Sequence, residues 1–261
     1  MDNPISEEQF KQWEQDGYLK VSGFLNKAET EAAVRWVDEV AAWPDSEDKW
    51  LHHREDTEHG VRLARTENFM PFHEGIKLLL TEGKIVAAIS QLMGEPAVLY
   101  KEKINYKYPG GGGYAAHQDA PAYEFVKKHV TCSVAIDANT ADNGCLYFAP
   151  GLHTQGLIAL NDEGCIEESV AEKMPWVEMA TEPGDVLFFS SYAPHYSPPN
   201  NSDQSRRALY LTYNAAAEGN LRDDYYKDKR QVFAANHESG SPEATRISKI
   251  GHFQGKTVLQ K

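Results

Sequence analysis

Cysteine is scarce in this chain of 261 residues: Cys132, Cys145 and Cys165 are the whole complement. An odd count without Cys-x-x-Cys spacing supports neither a disulfide framework nor a structural zinc site, so reduced, buried thiols are expected. Positive charge is also short. Lys and Arg number 26 against 39 Asp and Glu, for a formal net charge of −13. A phosphate backbone or an anionic membrane surface requires a basic face, so neither nucleic acid nor membrane is expected as a partner. A few local cations can still override the global sign around a small anionic molecule. No apolar run reaches membrane-spanning length, and Met1-Asp2-Asn3-Pro4 lacks the basic and apolar regions of a secretory signal, so the expected location is cytoplasmic. Linkers, internal repeats and low-complexity segments are missing too. What remains, 41% hydrophobic and 25% charged residues, is ordinary globular composition, and the length suits a single domain over 1–261.

The first third reads as helical. Ser6-Glu7-Glu8-Gln9 carries the side chains of a capping box ahead of Phe10 and Trp13, which predicts a helix from about Glu7 to Asp16, and Tyr18-Leu19-Lys20-Val21 follows as a strand. Asn26-Lys27-Ala28-Glu29 repeats the cap, and Val34, Val37, Val40 and Ala41 recur at helical spacing, so a longer helix should run through to Trp43. From Pro44 to Glu74 the chain is polar, with His52, His53, His59 and His73 among acids. A surface loop is expected there, with an active-site lid as the alternative and Arg62, Arg65 and Asn68 within reach of a substrate. Ile85, Ile89, Leu92 and Met93 mark a third helix stopped by Gly94.

After Gly94 the pattern changes to short β-branched or aromatic runs separated by Gly, Pro, Asn or Asp: Ala97 to Tyr100, Ile104 to Tyr108, Val130 to Ala138, Leu146 to Ala149, Trp176 to Met179, Val186 to Ser190 and Ala208 to Tyr213. The expected fold is mainly β with flanking helices: a helical part over 5–94, a sandwich or barrel over 95–215 and a C-terminal tail over 216–261. The charged, weakly periodic tail from Asp223 to Lys261 should wrap the barrel or fray.

The stretch that carries chemistry is Gly110-Gly111-Gly112-Gly113-Tyr114-Ala115-Ala116-His117-Gln118-Asp119. Residues two apart in a strand share a face, so His117 and Asp119 can aim an imidazole and a carboxylate at one point. His195, beyond the apolar run Val186 to Ser190, would complete the set. Two imidazoles and a carboxylate on one face of an octahedral ion leave three positions open, the arrangement of non-heme Fe(II) oxygenases. A His-x-Asp tripeptide also arises by chance, and the two histidines could be unrelated surface or hydrogen-bonded residues. The glycine bend before one and the strand before the other favour convergence. His153, in Ala149-Pro150-Gly151-Leu152-His153, is the competing ligand, but it sits in a turn without a carboxylate at strand spacing, so a structural hydrogen bond is expected of it.

These residues stand in a wider pattern. From the opening helix and Asp16-Gly17-Tyr18 through His117-Gln118-Asp119, Asn143-Gly144-Cys145-Leu146, Pro150-Gly151-Leu152-His153 and Pro183-Gly184-Asp185-Val186 to His195 and Arg206, the chain resembles the phytanoyl-CoA dioxygenase family of Fe(II)- and 2-oxoglutarate-dependent oxygenases over residues 5–215. The resemblance implies a double-stranded β-helix, a cupin-like jelly-roll barrel with helices on one side. It implies Fe(II) held by His117, Asp119 and His195, with 2-oxoglutarate and O2 as co-substrates and ascorbate as a helper. By the same match Arg206 pairs with the distal carboxylate of 2-oxoglutarate, a role suited to a planar guanidinium fork, and Ser197 and Lys107 line the co-substrate pocket. Arg207 is a rival that strand alternation does not eliminate, because both faces of Ala208 to Tyr213 carry large side chains; the family's spacing favours Arg206. Related halogenases keep the carboxylate position small to admit chloride, so Asp119 favours hydroxylation.

Lys101, Lys103, Asn105 and Lys107 alternate and share one strand face, while Tyr100, Ile104, Tyr106 and Tyr108 share the other. If Lys107 points into the barrel, as the resemblance implies, Lys103 and Asn105 point there too. That lining suits a small anionic substrate ending in a phosphonate or carboxylate rather than a long acyl chain; a merely solvated face is the alternative. The stretch Lys103 to Gly110 with His117 to Tyr123 is similar to the branch containing 2-aminoethylphosphonate dioxygenases, which hydroxylate the carbon next to phosphorus. Lys103, Asn105, Gln118 and Tyr123 are the expected substrate contacts. Competing functions are a hydroxylase of an amino acid or natural-product intermediate, a non-catalytic metal or 2-oxoglutarate sensor, and a zinc hydrolase with the same ligands, for which no clear general base is present.

Overall fold

Ser6 and Asn26 act as their spacing predicts. Each side chain accepts the backbone N–H three residues on, and each backbone N–H is taken by Gln9 or Glu29, so α1 (Glu7–Asp16) and α2 (Lys27–Ala41) begin on closed capping boxes. Gly17 ends α1 in the left-handed region at φ 78°, and β1 (Tyr18–Val21) starts at once. The computed structural model describes residues 3–57, 60–123, 126–162, 164–238 and 257–258.

Two antiparallel sheets organise the chain. The larger joins β1 to β2 (Leu51–Thr57), β3 (Gly60–Glu67), β4 (Ala97–Lys107), β6 (His129–Ala135), β9 (Val186–Ser190) and β11 (Arg206–Ala215), in the order β1-β9-β6-β11-β4-β3-β2. The smaller contains β5 (Gly113–His117), β7 (Leu146–Phe148), β8 (Val177–Met179), β10 (His195–Ser197) and the short β12 (Thr257–Val258), in the order β12-β5-β10-β7-β8. Non-sequential neighbours in both sheets mean that the chain crosses repeatedly between them, which is the jelly roll with flanking helices.

The helices cover one face of the larger sheet. Val37 and Val40 of α2, Ile76 and Leu80 of α3 (Glu74–Thr81), and Ile85 and Ile89 of α4 (Lys84–Met93) share a buried cluster with Ile104, Tyr106, Val134, Phe188 and Leu209 from the strands. Burying each such side chain contributes about 1.5–3 kcal/mol, so the apolar core sits on this side of the sheet. The other side is thereby left for polar groups. A smaller cluster of Tyr18, Leu146, Phe148, Leu187, Phe189 and Tyr210 closes the space between the sheets. All three cysteines are free and buried, as expected.

Four features differ from expectation. The polar stretch 44–74 is not a surface loop: β2 and β3 form a hairpin, and β3 extends the larger sheet by pairing Arg65 with Asn105 and Glu67 with Lys103. Part of its polarity arises because Arg65 and Glu67 lie buried on the polar side of the sheet. Helix α3 has no counterpart among the predicted helices, since it is only two turns long. The strands predicted at 97–100 and 104–108 are one continuous β4 with a bulge opposite Thr212 and Tyr213. The extra residue turns Tyr100 away from Ile104 and Tyr106, to pack on Tyr123 and Tyr225 at ring distances of 5.8 and 4.9 Å. Lastly, the tail, expected to wrap the barrel or fray, begins as a helix that the weak periodicity did not predict, α6 (Arg222–Glu238), laid against β4. Apart from β12, the rest of the tail lies outside the described residues.

Helix α6 is fastened by charge. Arg222 donates from Nε to Glu102 at 3.0 Å and from Nη2 to the same carboxylate and to Asn68 Oδ1, the latter at 2.8 Å. Glu102 is completely buried. Arg222→Met is therefore expected to lower the unfolding free energy by about 3–5 kcal/mol, and a second change, Glu102→Leu, to recover most of the loss, as read from urea unfolding.

Candidate active site

Neighbouring strands β5 and β10 set His117 opposite His195, with ring centroids 4.2 Å apart. The approach is possible because Gly113 has no side chain; a Cβ there would meet the Ser197 carbonyl oxygen at 2.7 Å. Asp119 reaches the same point by a route other than the strand alternation predicted for it. The strand ends at His117, and the backbone is helical at Asp119 (φ −73°, ψ −25°), which brings Asp119 Oδ1 to 3.7 Å from His117 Nε2. One ligand atom from each of His117, Asp119 and His195 lies within 4.8 Å of the others, so the three could hold a metal ion.

Both imidazoles are turned for that use. A carbonyl oxygen only accepts, so the Nδ1 atoms facing Ala115 O at 2.7 Å and Ala193 O at 3.0 Å carry the protons, leaving the Nε2 lone pairs for a metal. Burial, then neighbouring His195, pushes His117 down to about 3, and burial also lowers His195. Burial by itself would raise Asp119, but His195, Lys103, His117 and Lys101 together hold its carboxyl well below the usual carboxylate range. Two neutral rings and one carboxylate stand ready at neutral pH.

A second polar cluster occupies the adjacent ends of β4 and β11, where Lys107 and Arg206 are partners in register. Lys107 Nζ donates to Ser197 Oγ at 2.8 Å, Pro198 O at 2.7 Å and Gly144 O at 3.2 Å. Burial, then Arg206, lowers the Lys107 pKa well below the ordinary lysine value. Arg206 is 2% exposed. Its Nε donates to Asn139 Oδ1 at 2.7 Å and its Nη2 to the Tyr210 hydroxyl at 2.9 Å, while Nη1 meets no hydrogen-bond partner among the described residues. Arg207 takes the opposite side of the strand, forked onto Asp137 at 2.8 Å through Nε and Nη2 and paired with Asp38 of α2. Carboxylates already saturate Arg207; Arg206 has only neutral partners. Sequence reasoning did not find Asn139 or Tyr210. Tyr210 was accessible, four residues along β11 on the Arg206 face, whereas nothing in the sequence marks Asn139.

On the remaining part of β4, Lys101, Lys103 and Asn105 share the polar side. Lys103 is close enough to Asp119, His117 and His195 to influence all three electrostatically, and its ammonium lies 5.1 Å from the Tyr210 ring centre. Burial, then Arg65 and Lys101, holds Lys103 well below the ordinary lysine range. Asn105 accepts from Arg65 Nε at 3.1 Å. The buried Tyr123 hydroxyl is 3.3 Å from Thr212 Oγ1, and burial followed by Asp119 raises its pKa.

Gln118 does not belong with these residues. Its amide nitrogen donates to the Gly156 and Tyr192 carbonyls at 2.9 and 2.8 Å, and its oxygen accepts the Ile158 N–H at 2.8 Å, so backbone groups engage the whole amide. It ties loops together instead of contacting substrate. His153 packs against Gly17 at the end of α1, where a Cβ would strike its ring at 2.3 Å, and takes no part in the three-ligand group. His52 and His73 bond Thr66 and Glu39, and His59 lies outside the described residues. Of the three residues expected to reach in from 44–74, Arg62 is exposed and Asn68 is held by Arg222 and Lys49, leaving Arg65.

Residues 13–208 match the family model for phytanoyl-CoA dioxygenase. The chain belongs to that family. It is 57% identical over 260 residues to the methylphosphonate hydroxylase of Gimesia maris, covering 100% of both chains. To the 2-aminoethylphosphonate dioxygenase of an uncultured bacterium it is 44% identical over 247 residues, covering 93% of this chain and 92% of the relative. Among solved structures, EctD from S. alaskensis with 2-oxoglutarate and 5-hydroxyectoine superposes with a TM-score of 0.71 at 22% identity, covering 83% of this chain and 78% of that one, a likeness of fold. Membership of the phytanoyl-CoA dioxygenase family makes this protein an oxygenase and sets the sensor and zinc-hydrolase alternatives aside.

The metal group can be tested without turnover. After anaerobic loading with Fe(II) and desalting, His117→Ala and Asp119→Ala are expected to lose most of the bound iron that the unmodified protein retains, and His153→Ala to keep it, by metal analysis.

Proposed function

We propose that the protein is an Fe(II)- and 2-oxoglutarate-dependent dioxygenase that hydroxylates a short organophosphonate at the carbon next to phosphorus. The observation that carries this reading is Lys103, a half-buried lysine beside a His–Asp–His group, on a chain 57% identical to a methylphosphonate hydroxylase. A phosphonate is small, carries up to two negative charges and presents three acceptor oxygens, which is what a row of desolvated cations and amides binds.

In this proposal His117, Asp119 and His195 hold the iron. The donor set fits, because two neutral imidazoles with oriented Nδ1–H groups and one carboxylate leave one face of an octahedral ion open. When bound, iron and 2-oxoglutarate supply the oxidation, consuming O2 and releasing succinate and carbon dioxide, with ascorbate as a reducing aid. Arg206 receives the distal carboxylate of 2-oxoglutarate on its unengaged Nη1, with Lys107 and Ser197 beside it. Lys103, Asn105 and Tyr123 hold the phosphonate and so orient the target C–H. Phe148 and Phe189, 5.4 and 5.1 Å from the His195 ring centre, keep water from that side of the group. The same proposal treats 1–261 as one domain in the cytoplasm. In support, α2, α3 and α4 cover the sheet that carries the site, and among the described residues no helix is long and apolar enough to cross a membrane.

With Fe(II), ascorbate and O2, succinate release is expected to rise on adding methylphosphonate or 2-aminoethylphosphonate but not amino acids or acyl-CoA thioesters; stimulation by amino acids alone would discard the phosphonate assignment. Arg206→Ala is expected to raise the 2-oxoglutarate concentration needed for half-maximal rate by about tenfold or more, the loss of a charged hydrogen bond, with iron content unchanged. Arg207→Ala should leave that concentration unchanged and lower the melting temperature.

A further inference from the structure

Glu67 stands opposite Lys103 on the neighbouring strand. It lies on β3, 2% exposed, in register with Lys103 and on the polar side of the sheet. Both of its oxygens are occupied. Oε1 accepts from Arg65 Nη1 at 3.3 Å, and Oε2 is paired with Nζ of Lys229, a lysine with no solvent exposure that α6 delivers from the far end of the chain. His53 adds a contact of 3.6 Å to Oε1. Lys103, although directly opposite Glu67 in register, has its ammonium over the Tyr210 ring.

The consequence is a local excess of basic side chains on the polar side of the sheet. Arg65, Lys101, Lys103 and Lys229 surround Glu67, which Arg65 and Lys229 already engage, and the other carboxylate acting on Lys101 and Lys103 is Asp119 of the three-ligand group. A third carboxylate, Glu55, accepts the Gly112 N–H at 3.4 Å and faces Lys107 and Arg65 at the co-substrate end. A phosphonate group gains from these basic side chains, whereas an ammonium two carbons away would find Glu67 already paired. Selection can work by such an unpaired charge as well as by attraction.

We propose that the Lys229–Glu67 ion pair is a specificity device, resting on the phosphonate reading: by occupying the carboxylate that faces the substrate, Lys229 makes the site accept short phosphonates without an amino group and disfavour aminoalkylphosphonates. Lys229 is a positioning residue here, acting through Glu67.

The experiment compares methylphosphonate with 2-aminoethylphosphonate on the iron-loaded enzyme, following succinate and the phosphorus NMR signal of the product, with anaerobic calorimetric titration of each phosphonate as a readout independent of turnover. The unmodified enzyme is expected to favour methylphosphonate by about tenfold or more in kcat/KM, the scale of one unmatched ion pair. Lys229→Met keeps the side-chain length and frees a Glu67 oxygen, so it is expected to move the ratio about tenfold toward 2-aminoethylphosphonate, through KM and the calorimetric Kd. Lys229→Met with Glu67→Gln removes the freed charge and is expected to restore the preference for methylphosphonate. Equal kcat/KM for the two substrates in the unmodified enzyme, or an unmoved ratio in folded Lys229→Met, overturns the proposal and leaves the phosphonate reading standing. If Lys229→Met does not fold, the unmodified enzyme and the double variant decide, and a preference for 2-aminoethylphosphonate in either overturns the proposal. No turnover with either phosphonate overturns the phosphonate reading itself.

Discussion

The burial of lysines on one face of β4 is the constraint around which the rest of the site is arranged. Lys101 and Lys107 are 5% and 4% exposed, and Lys103 between them is half-buried. An ammonium taken out of water must find acceptors, a π-face or an anion, or it loses its proton. Lys107 finds the Ser197 hydroxyl and two carbonyls, and Lys101 lies 4.4 Å from the Tyr123 ring centre. Lys103 has the ring of Tyr210 in the same role and no hydrogen bond among the described residues, which makes it the lysine best placed to meet an incoming anion. The chain as a whole is strongly acidic, so this positive interior is built against the global charge and owes its sign to the few cations that β3, β4, β11 and α6 bring together.

Strand alternation lets that interior coexist with an apolar core a strand's thickness away. On β4, Ile104 and Tyr106 pack under the helices while Lys103 and Asn105 face the site. On β11, Arg206 and Arg207 are neighbours in sequence, yet one bonds Asn139 and Tyr210 on the polar side and the other is clamped by Asp137 and Asp38 on the helix side. A one-residue slip of either strand would exchange these faces, turning Arg207 to the polar side and apolar side chains toward the three-ligand group. The cluster from α2, α3 and α4 therefore does more than stabilise the sheet. It pins the register on which the polar face depends.

Legibility followed the range of the interactions. The capping boxes at Ser6 and Asn26 and the strand Val186–Ser190 are set by residues within a few positions of one another, and they match the structure. The hairpin of β2 and β3 was hidden because its polar residues answer to partners forty positions away: Arg65 to Asn105, and Thr66 to the Tyr106 hydroxyl at 3.2 Å. Tyr100 was placed on the wrong face because the bulge that turns it is a property of the pairing between β4 and β11, not of β4. Gln118, flanked by two metal-ligand candidates, invited a substrate role that its three backbone partners exclude.

By itself, the sequence determined the helix starts, the strand-rich second half and the identity of the residues able to bind a metal, because residue type, spacing and motif are local properties. Tertiary structure alone decided that His117 and His195 meet across β5 and β10, that Asp119 joins them through a turn rather than along a strand, and that Lys229 on the last helix reaches Glu67 on the third strand. Such meetings depend on where distant segments come to rest, and that is set by the register of the sheets and the burial of their apolar faces, which no short stretch of chain contains.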